Sequence, residues 1–244
     1  MRERLNQIKS NFIENIAVVE KLMKFDEAIQ IFCLNALRKA NKGLEKFDCA
    51  DHPSYNIKPI IKQVENIRQN DSLRPSYEIM LNQCVVLLVS YFSSAIEDLF
   101  REALNKKIQN GNIGKLEKEE IKVTISQLVH NPDVADLFLL RKDISFQDMK
   151  SIARAFEEYI EIEQIPQDEV VNNIILSQAC RHCIVHDGSV VNMRVLGQLS
   201  SATPRDLKPD MKKDDIIQFN EDEIKIIIES MNRYIDRLFE KLLK

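Results

Sequence analysis

The 244-residue sequence predicts an all-α protein, an antiparallel helical bundle with an N-terminal helical extension, and three observations carry the fold class. Gly totals 5 and Pro 7, too few for the tight turns of a compact β-fold. The chain is 44% hydrophobic and 30% charged, which suits a buried core beneath a solvated surface. Its apolar residues recur at steps of three and four over most of the length.

The elements follow from that period. In residues 2–48, Phe12, Ile16, Val19, Leu22 and Met23 form one stripe, and Ile29, Phe32, Cys33, Ala36 and Leu37 form another. Their phase slips near Lys24 to Glu27, which allows a helical hairpin with Asp26 as the second N-cap, or one bent helix. A shorter helix is expected over about 58–68, with Pro59 in its first turn. Residues 77–110 read as the strongest helix, apolar nearly all round in its first half and so suited to the middle of a bundle. Gly111 ends it. Residues 116–142 read as helical but interrupted near Pro132. Ser145 and Asp148 resemble a capping pair opening a helix to about Ile162. A further helix runs from about Asp168 to Val185 and stops at Asp187-Gly188. Residues 189–218 are the least regular, with Val190-Val191 and Ile216 to Phe219 as short extended pieces. The last helix starts at Asn220, with Glu223 as reciprocal cap and Phe219 and Ile224 as a staple. The pattern divides into an N-terminal helical segment, 1–72, and a bundle, 73–244.

Charge and cysteine content narrow the function classes. The net charge of −4 gives no global field that attracts nucleic acid, so RNA or DNA must bind at a local patch. The segment containing Lys208, Lys212 and Lys213 is the first to test for RNA. Five cysteines at irregular spacing do not form a disulfide framework. MRERLNQIKSNF lacks the apolar stretch of a signal peptide, and no uninterrupted apolar run approaches a membrane span. The expectation is a cytoplasmic protein with reduced thiols and no membrane association. No Gly-rich phosphate loop, Gly-x-Ser-x-Gly elbow or His-Glu-x-x-His motif occurs.

One segment carries chemistry: Cys180-Arg181-His182-Cys183-Ile184-Val185-His186-Asp187-Gly188. Val171, Ile175 and Ala179 mark the apolar face of the helix leading to it. Projected forward, His182 and His186 stay near that face and Arg181 points away. Arg181 and His186 lie about 140° apart on an ideal helix at about 100° per residue. One straight helix therefore cannot aim both at one atom. Either the helix ends before His186, or a second copy of the motif completes the site. Histidine exchanges protons near neutral pH, and arginine matches phosphate oxygens. Together they suit phosphodiester chemistry, and in RNA the 2′-hydroxyl is an internal nucleophile that needs no metal. Cys180, Cys183, His182 and His186 also invite a zinc reading, with Cys49 and His52 as the obvious second pair, but core packing is the expected role of the cysteines.

Arg-x4-His at the end of an apolar helix, followed by Asp-Gly, resembles the signature of HEPN domains. Arg181, His182 and His186 match its arginine, polar neighbour and histidine, and the resemblance covers roughly residues 77–244. It implies a helical bundle that forms a homodimer, with two motifs lining one cleft. Many HEPN proteins are metal-independent endoribonucleases in toxin-antitoxin, abortive-infection or CRISPR-associated antiviral defence. By resemblance, His186 transfers protons, Arg181 binds phosphate and His182 orients the site. Glu97, with Ser93 one turn earlier, is the candidate acidic residue from a neighbouring helix. No cofactor and no metal are implied. RNA is the implied substrate, and an antitoxin or other regulatory protein an implied partner. Where some toxins of the family carry a modifiable Tyr two residues after the histidine, this chain has Gly188. Other HEPN domains are inactive modules that bind a protein or nucleic acid, which is the alternative function.

Overall fold

The computed structural model describes residues 1–47, 52, 55–70, 74–111, 113–124, 126 and 133–243, the side chains of residues 26 and 74–78 excepted. Among them every regular element is helical, and one isolated antiparallel bridge joins Val190 to Ile216. The predicted all-α class agrees.

The helices are α1 (Arg2–Met23), α2 (Phe25–Lys46), α3 (Lys58–Gln69), α4 (Arg74–Gln109), α5 (Val134–Lys142), α6 (Met149–Ala155), α7 (Glu169–His186), α8 (Met193–Leu199) and α9 (Glu221–Leu242). Four of them, α1, α4, α7 and α9, form the bundle core. Residues Ile79–Gln109 of α4 are long and apolar enough to cross a membrane by length and composition. In the bundle, Cys84, Val85, Leu88, Phe92, Ile96, Leu99 and Phe100 of that helix are buried against its neighbours. Phe92 sits edge-on to both Phe12 of α1 and Tyr234 of α9, at ring separations of 6.4 and 5.7 Å.

The division expected at residue 72 moves. Leu5, Phe12, Ile16, Val19 and Met23 place α1 inside the core, so the bundle begins with the first helix. The extension is α2 with α3. Lys24 breaks the helix for one residue, and the dihedrals there (φ −102°, ψ 8°) stay near the helical region. The chain thus forms a bent helix, because α2 packs chiefly on α3 rather than back along α1. The capping role expected of Asp26 lies outside the described side chains. Leu34 is the one buried hydrophobic of α2, while Phe25, Ile29 and Phe32 are exposed.

Three other expectations change. Residues 119–124 are not helical; a 3-10 turn at Gly114–Lys118 precedes them. The break expected at Pro132 and the zinc ligand Cys49 lie outside the described residues. Asp148, not Ser145, caps α6: its carboxylate accepts the Ser151 N–H at 2.8 Å, while Ser145 Oγ accepts from Gln147 N. A π-helical turn at Phe156–Ile160 extends α6. The short α8 lies in the region read as irregular.

α9 begins as expected. Asn220 and Glu223 form a reciprocal capping box, and Phe219 and Ile224 are buried. The segment before it is tied to α4 by one buried side chain. Asn82 Nδ2 donates to Ile217 O at 2.8 Å, and its Oδ1 accepts from Phe219 N at 3.1 Å. Ile217 N in turn donates to Ser189 O, just after α7. The start of α4, the start of α9 and the end of α7 therefore share one end of the bundle. Asn82→Leu leaves two buried backbone groups without partners, each costing roughly 1–3 kcal/mol. Urea unfolding is expected to show a loss within that combined range, and a midpoint matching the parent would refute the anchoring role.

Candidate functional site

α7 is the helix that places the motif. Asp168 caps it by accepting Val171 N–H, and Arg237 of α9 holds the same carboxylate at 2.6 Å. From Val170 to Cys180 every residue except the half-buried Ile175 is buried. The helix is enclosed by α4, α6, α8 and α9. Beyond its first residue, Glu169, and the half-buried Ile175, only its last turn and a half reaches the surface.

The helix runs through His186 without interruption. Its end is a left-handed turn: Gly188 has φ +61°, and the N–H groups of Asp187 and Ser189 both donate to Cys183 O. Bonding of Ser189 back to Cys183 closes the helix in the manner of a Schellman turn, for which glycine is the favoured residue. Of the two ways the motif could be completed, ending the helix before His186 is thus excluded.

The last turn brings the two histidines together and sends the arginine elsewhere. The His182 and His186 rings, one turn apart, lie 4.9 Å between centroids. Arg181 Nη1 donates to Gln147 Oε1 at 3.1 Å, on the approach to α6. Exposure also differs from expectation: His186 is exposed and His182 half-buried, whereas the Nε of Arg181 is buried. The extra burial around Arg181 comes from the segment before α6, whose position no helical projection of α7 contains.

Two residues absent from the sequence reading complete the cluster. Asn192 caps α8 by accepting Val195 N–H at 3.0 Å, and its Nδ2 donates to Asp187 Oδ2 at 2.7 Å. Asp187 Oδ2 lies 3.9 Å from His182 Nε2. Arg194, in the first turn of α8, brings Nη1 to 3.4 Å from the same nitrogen. One side chain, Asn192, thus locks the start of α8 to the end of α7. The available signal was Asn192 followed by Val195, Leu196 and Leu199 at helical spacing.

Glu97 is not part of this cluster. It lies fifteen residues along α4 from Asn82, about 22 Å at 1.5 Å per residue. Its carboxylate pairs with Arg101, which also holds Asp98 and Asp136. The site therefore has Asp187, and not Glu97, as its carboxylate. Lys208 is likewise committed: it pairs with Glu223, donates to Gln218 O and lies 4.7 Å over the Phe219 ring. It supports the start of α9, which leaves Lys212 and Lys213 as the exposed cations of that segment. The nearby cleft of about 400 Å³ between Val191, Met211 and Ile216 carries Asp210 and Asp215, a lining unsuited to phosphate.

Cys180 and Cys183 belong to the core. Both are fully buried, and burial pushes the Cys180 thiol up to about 12. Cys183 is raised by the same desolvation. No group of three or more His, Cys, Asp or Glu side chains placed to hold a metal ion occurs among the described residues. Comparison with protein-family models, with curated proteins and with solved structures found no match. The site is therefore read from its own geometry.

The thiol assignment is directly testable. At pH 8 a thiol-specific alkylating reagent should modify exposed Cys33 in the native protein. Cys84, raised to about 11 by burial, should react only after unfolding, as should Cys180 and Cys183. Peptide mass mapping that finds Cys180 or Cys183 alkylated under native conditions would contradict the packing role.

Proposed function

We propose that this protein is a HEPN-type, metal-independent endoribonuclease that works as a homodimer in the cytoplasm, in a defence or toxin-antitoxin setting. The observation that carries the reading is the paired imidazoles of His182 and His186 at the exposed end of a buried helix, with the Arg194 guanidinium beside them. Two imidazoles a few ångströms apart suit a reaction that moves one proton off a nucleophile and another onto a leaving group.

On this reading the 2′-hydroxyl of a single-stranded RNA gives its proton to His186 as its oxygen attacks the adjacent phosphorus. The bond from phosphorus to the 5′-oxygen breaks, and that oxygen takes a proton from His182. The products are a 2′,3′-cyclic phosphate and a free 5′-hydroxyl, and no outside reactant is consumed. Asp187 and Asn192 orient His182. Because Arg181 of the same chain is held at Gln147, its role in phosphate binding is assigned across the dimer, where the second copy presents its own helix end to the cleft.

A specific observation favours a second reading. Phe25, Ile29 and Phe32 form an exposed apolar stripe on α2 at spacings of four and three. Such a stripe suits contact with another helix. A module that binds a partner protein, an antitoxin or other regulator among them, without cleaving RNA would use it.

The two readings part in one assay. Purified protein is incubated with single-stranded RNA in the presence of chelator, beside His186→Ala, His182→Ala and Arg181→Ala. The expected result is cleavage by the parent, with cyclic phosphate ends, and a loss of about a hundredfold or more for His186→Ala, the usual size of a general acid-base contribution. Equal cleavage by all four proteins, or by none, would refute the ribonuclease reading.

A further inference from the structure

The phosphate-binding arginine expected from the motif is turned away from its own histidines, yet a second guanidinium stands beside them. Arg194 Nη1 is 3.4 Å from His182 Nε2. The side chain is exposed, and among the described residues no carboxylate lies within ion-pair distance of it. Asp187 Oδ2, the carboxylate oxygen 3.9 Å from His182 Nε2, accepts from Asn192. The guanidinium has five N–H donors, and only one nitrogen is engaged, by a weak contact with a ring nitrogen. A cation held next to an imidazole with no counter-ion is a place where an anion gains two partners at once.

The position of Arg194 is also built. Val195 and Leu199 bury the inner face of α8, and Asn192 ties its first turn to Asp187. The arginine therefore stands on a short helix fixed to the end of α7 through the Asn192 side chain. Arg181, by contrast, has a buried Nε and a partner in Gln147. Drawing it toward the histidines of its own chain requires breaking that contact and crossing the helix.

We infer that the same chain supplies a phosphate-binding arginine of its own, Arg194, to the scissile phosphate of RNA at the His182–His186 pair, in addition to the Arg181 brought by the second copy. This rests on the ribonuclease reading. The Arg194 fork takes two non-bridging phosphate oxygens, and in doing so leaves His182 Nε2, which is then free to exchange its proton with the substrate. Resting contact and working contact are two positions of one side chain. The substrate class follows: a phosphodiester-linked single strand, which reaches a surface-exposed helix end where a paired duplex would present only its outer backbone.

The test measures binding and cleavage separately. A fluorescent single-stranded RNA with 2′-O-methyl groups binds without being cut, and its anisotropy is followed for the parent, Arg194→Ala, Arg194→Lys and Arg181→Ala. The same proteins are assayed on unmodified RNA for kcat and KM. Arg194→Ala is expected to weaken binding roughly tenfold or more, the scale of one charge-assisted phosphate contact. The slope of log affinity against log salt should fall by about 0.7, the loss of one phosphate contact on a single strand. Arg194→Lys should recover part of the affinity but not the parent kcat, since a point charge replaces the fork. Far-UV circular dichroism and melting should match the parent, because the side chain is exposed. A parent that binds and cleaves while Arg194→Ala matches it in affinity, salt slope and rate overturns the inference and leaves the ribonuclease reading standing. A parent that neither binds the blocked RNA nor cuts the unmodified strand overturns both.

Discussion

The near-complete burial of α7 is the constraint from which the rest of the structure follows. The helix is enclosed by α4, α6, α8 and α9, and its buried stretch carries Asn172, Asn173, Ser177 and Gln178 beside its apolar residues. Most of its buried polar residues find a partner inside the protein, although Asn173 Oδ1 and Gln178 Nε2 have none among the described residues. Asn172 donates to Pro204 O, Ser177 bonds back to Asn173 O, and Gln178 Oε1 accepts Met149 N–H at the start of α6. The bonds of Asn172 and Gln178 each fix a neighbouring segment against the helix. What remains free is the last turn, and the residues on it are His182, Val185 and His186.

That arrangement explains why reactive side chains are found at this end and nowhere else along α7. A histidine within the buried stretch would need a partner and would lose access to solvent. At the emerging turn the rings have one wall of protein and one of water. The Gly188 turn reverses the chain at once, so α8 returns over the same helix end carrying Arg194. Asn192 and Asn82 are the two small clamps that hold this reversal, one to α7 and one to α4. Neither touches a substrate in the proposed mechanism, yet both determine where the histidines and Arg194 stand.

Much of the architecture was legible because it depends on local signals. The capping box at Asn220 and Glu223, the apolar α4 and the Asp187-Gly188 stop are read from a few neighbouring residues. The departures have a common physical origin in distance. Glu97 has a suitable residue type, but no periodicity in α4 says how far along its axis the site lies. The Gln147 contact of Arg181 depends on a segment thirty-four residues away. α8 escaped because seven residues with Gly197 inside give a weak helical pattern, although its asparagine cap was visible. The split at residue 72 failed because the period shows that α1 is amphipathic but not which surface it covers. Of the candidate site, the histidine pair was legible, while Arg194, Asn192 and the carboxylate of Asp187 needed the fold.

The central claim is that the two imidazoles at the end of α7 meet the phosphodiester backbone. Its most direct measurement is the set of imidazole proton resonances in nuclear magnetic resonance spectra, recorded while a 2′-O-methyl single-stranded RNA is added. The account predicts that the His182 and His186 signals shift together and saturably, while that of His52, in the loop between α2 and α3, stays in place. Saturable binding of the RNA with both His182 and His186 unmoved would contradict it.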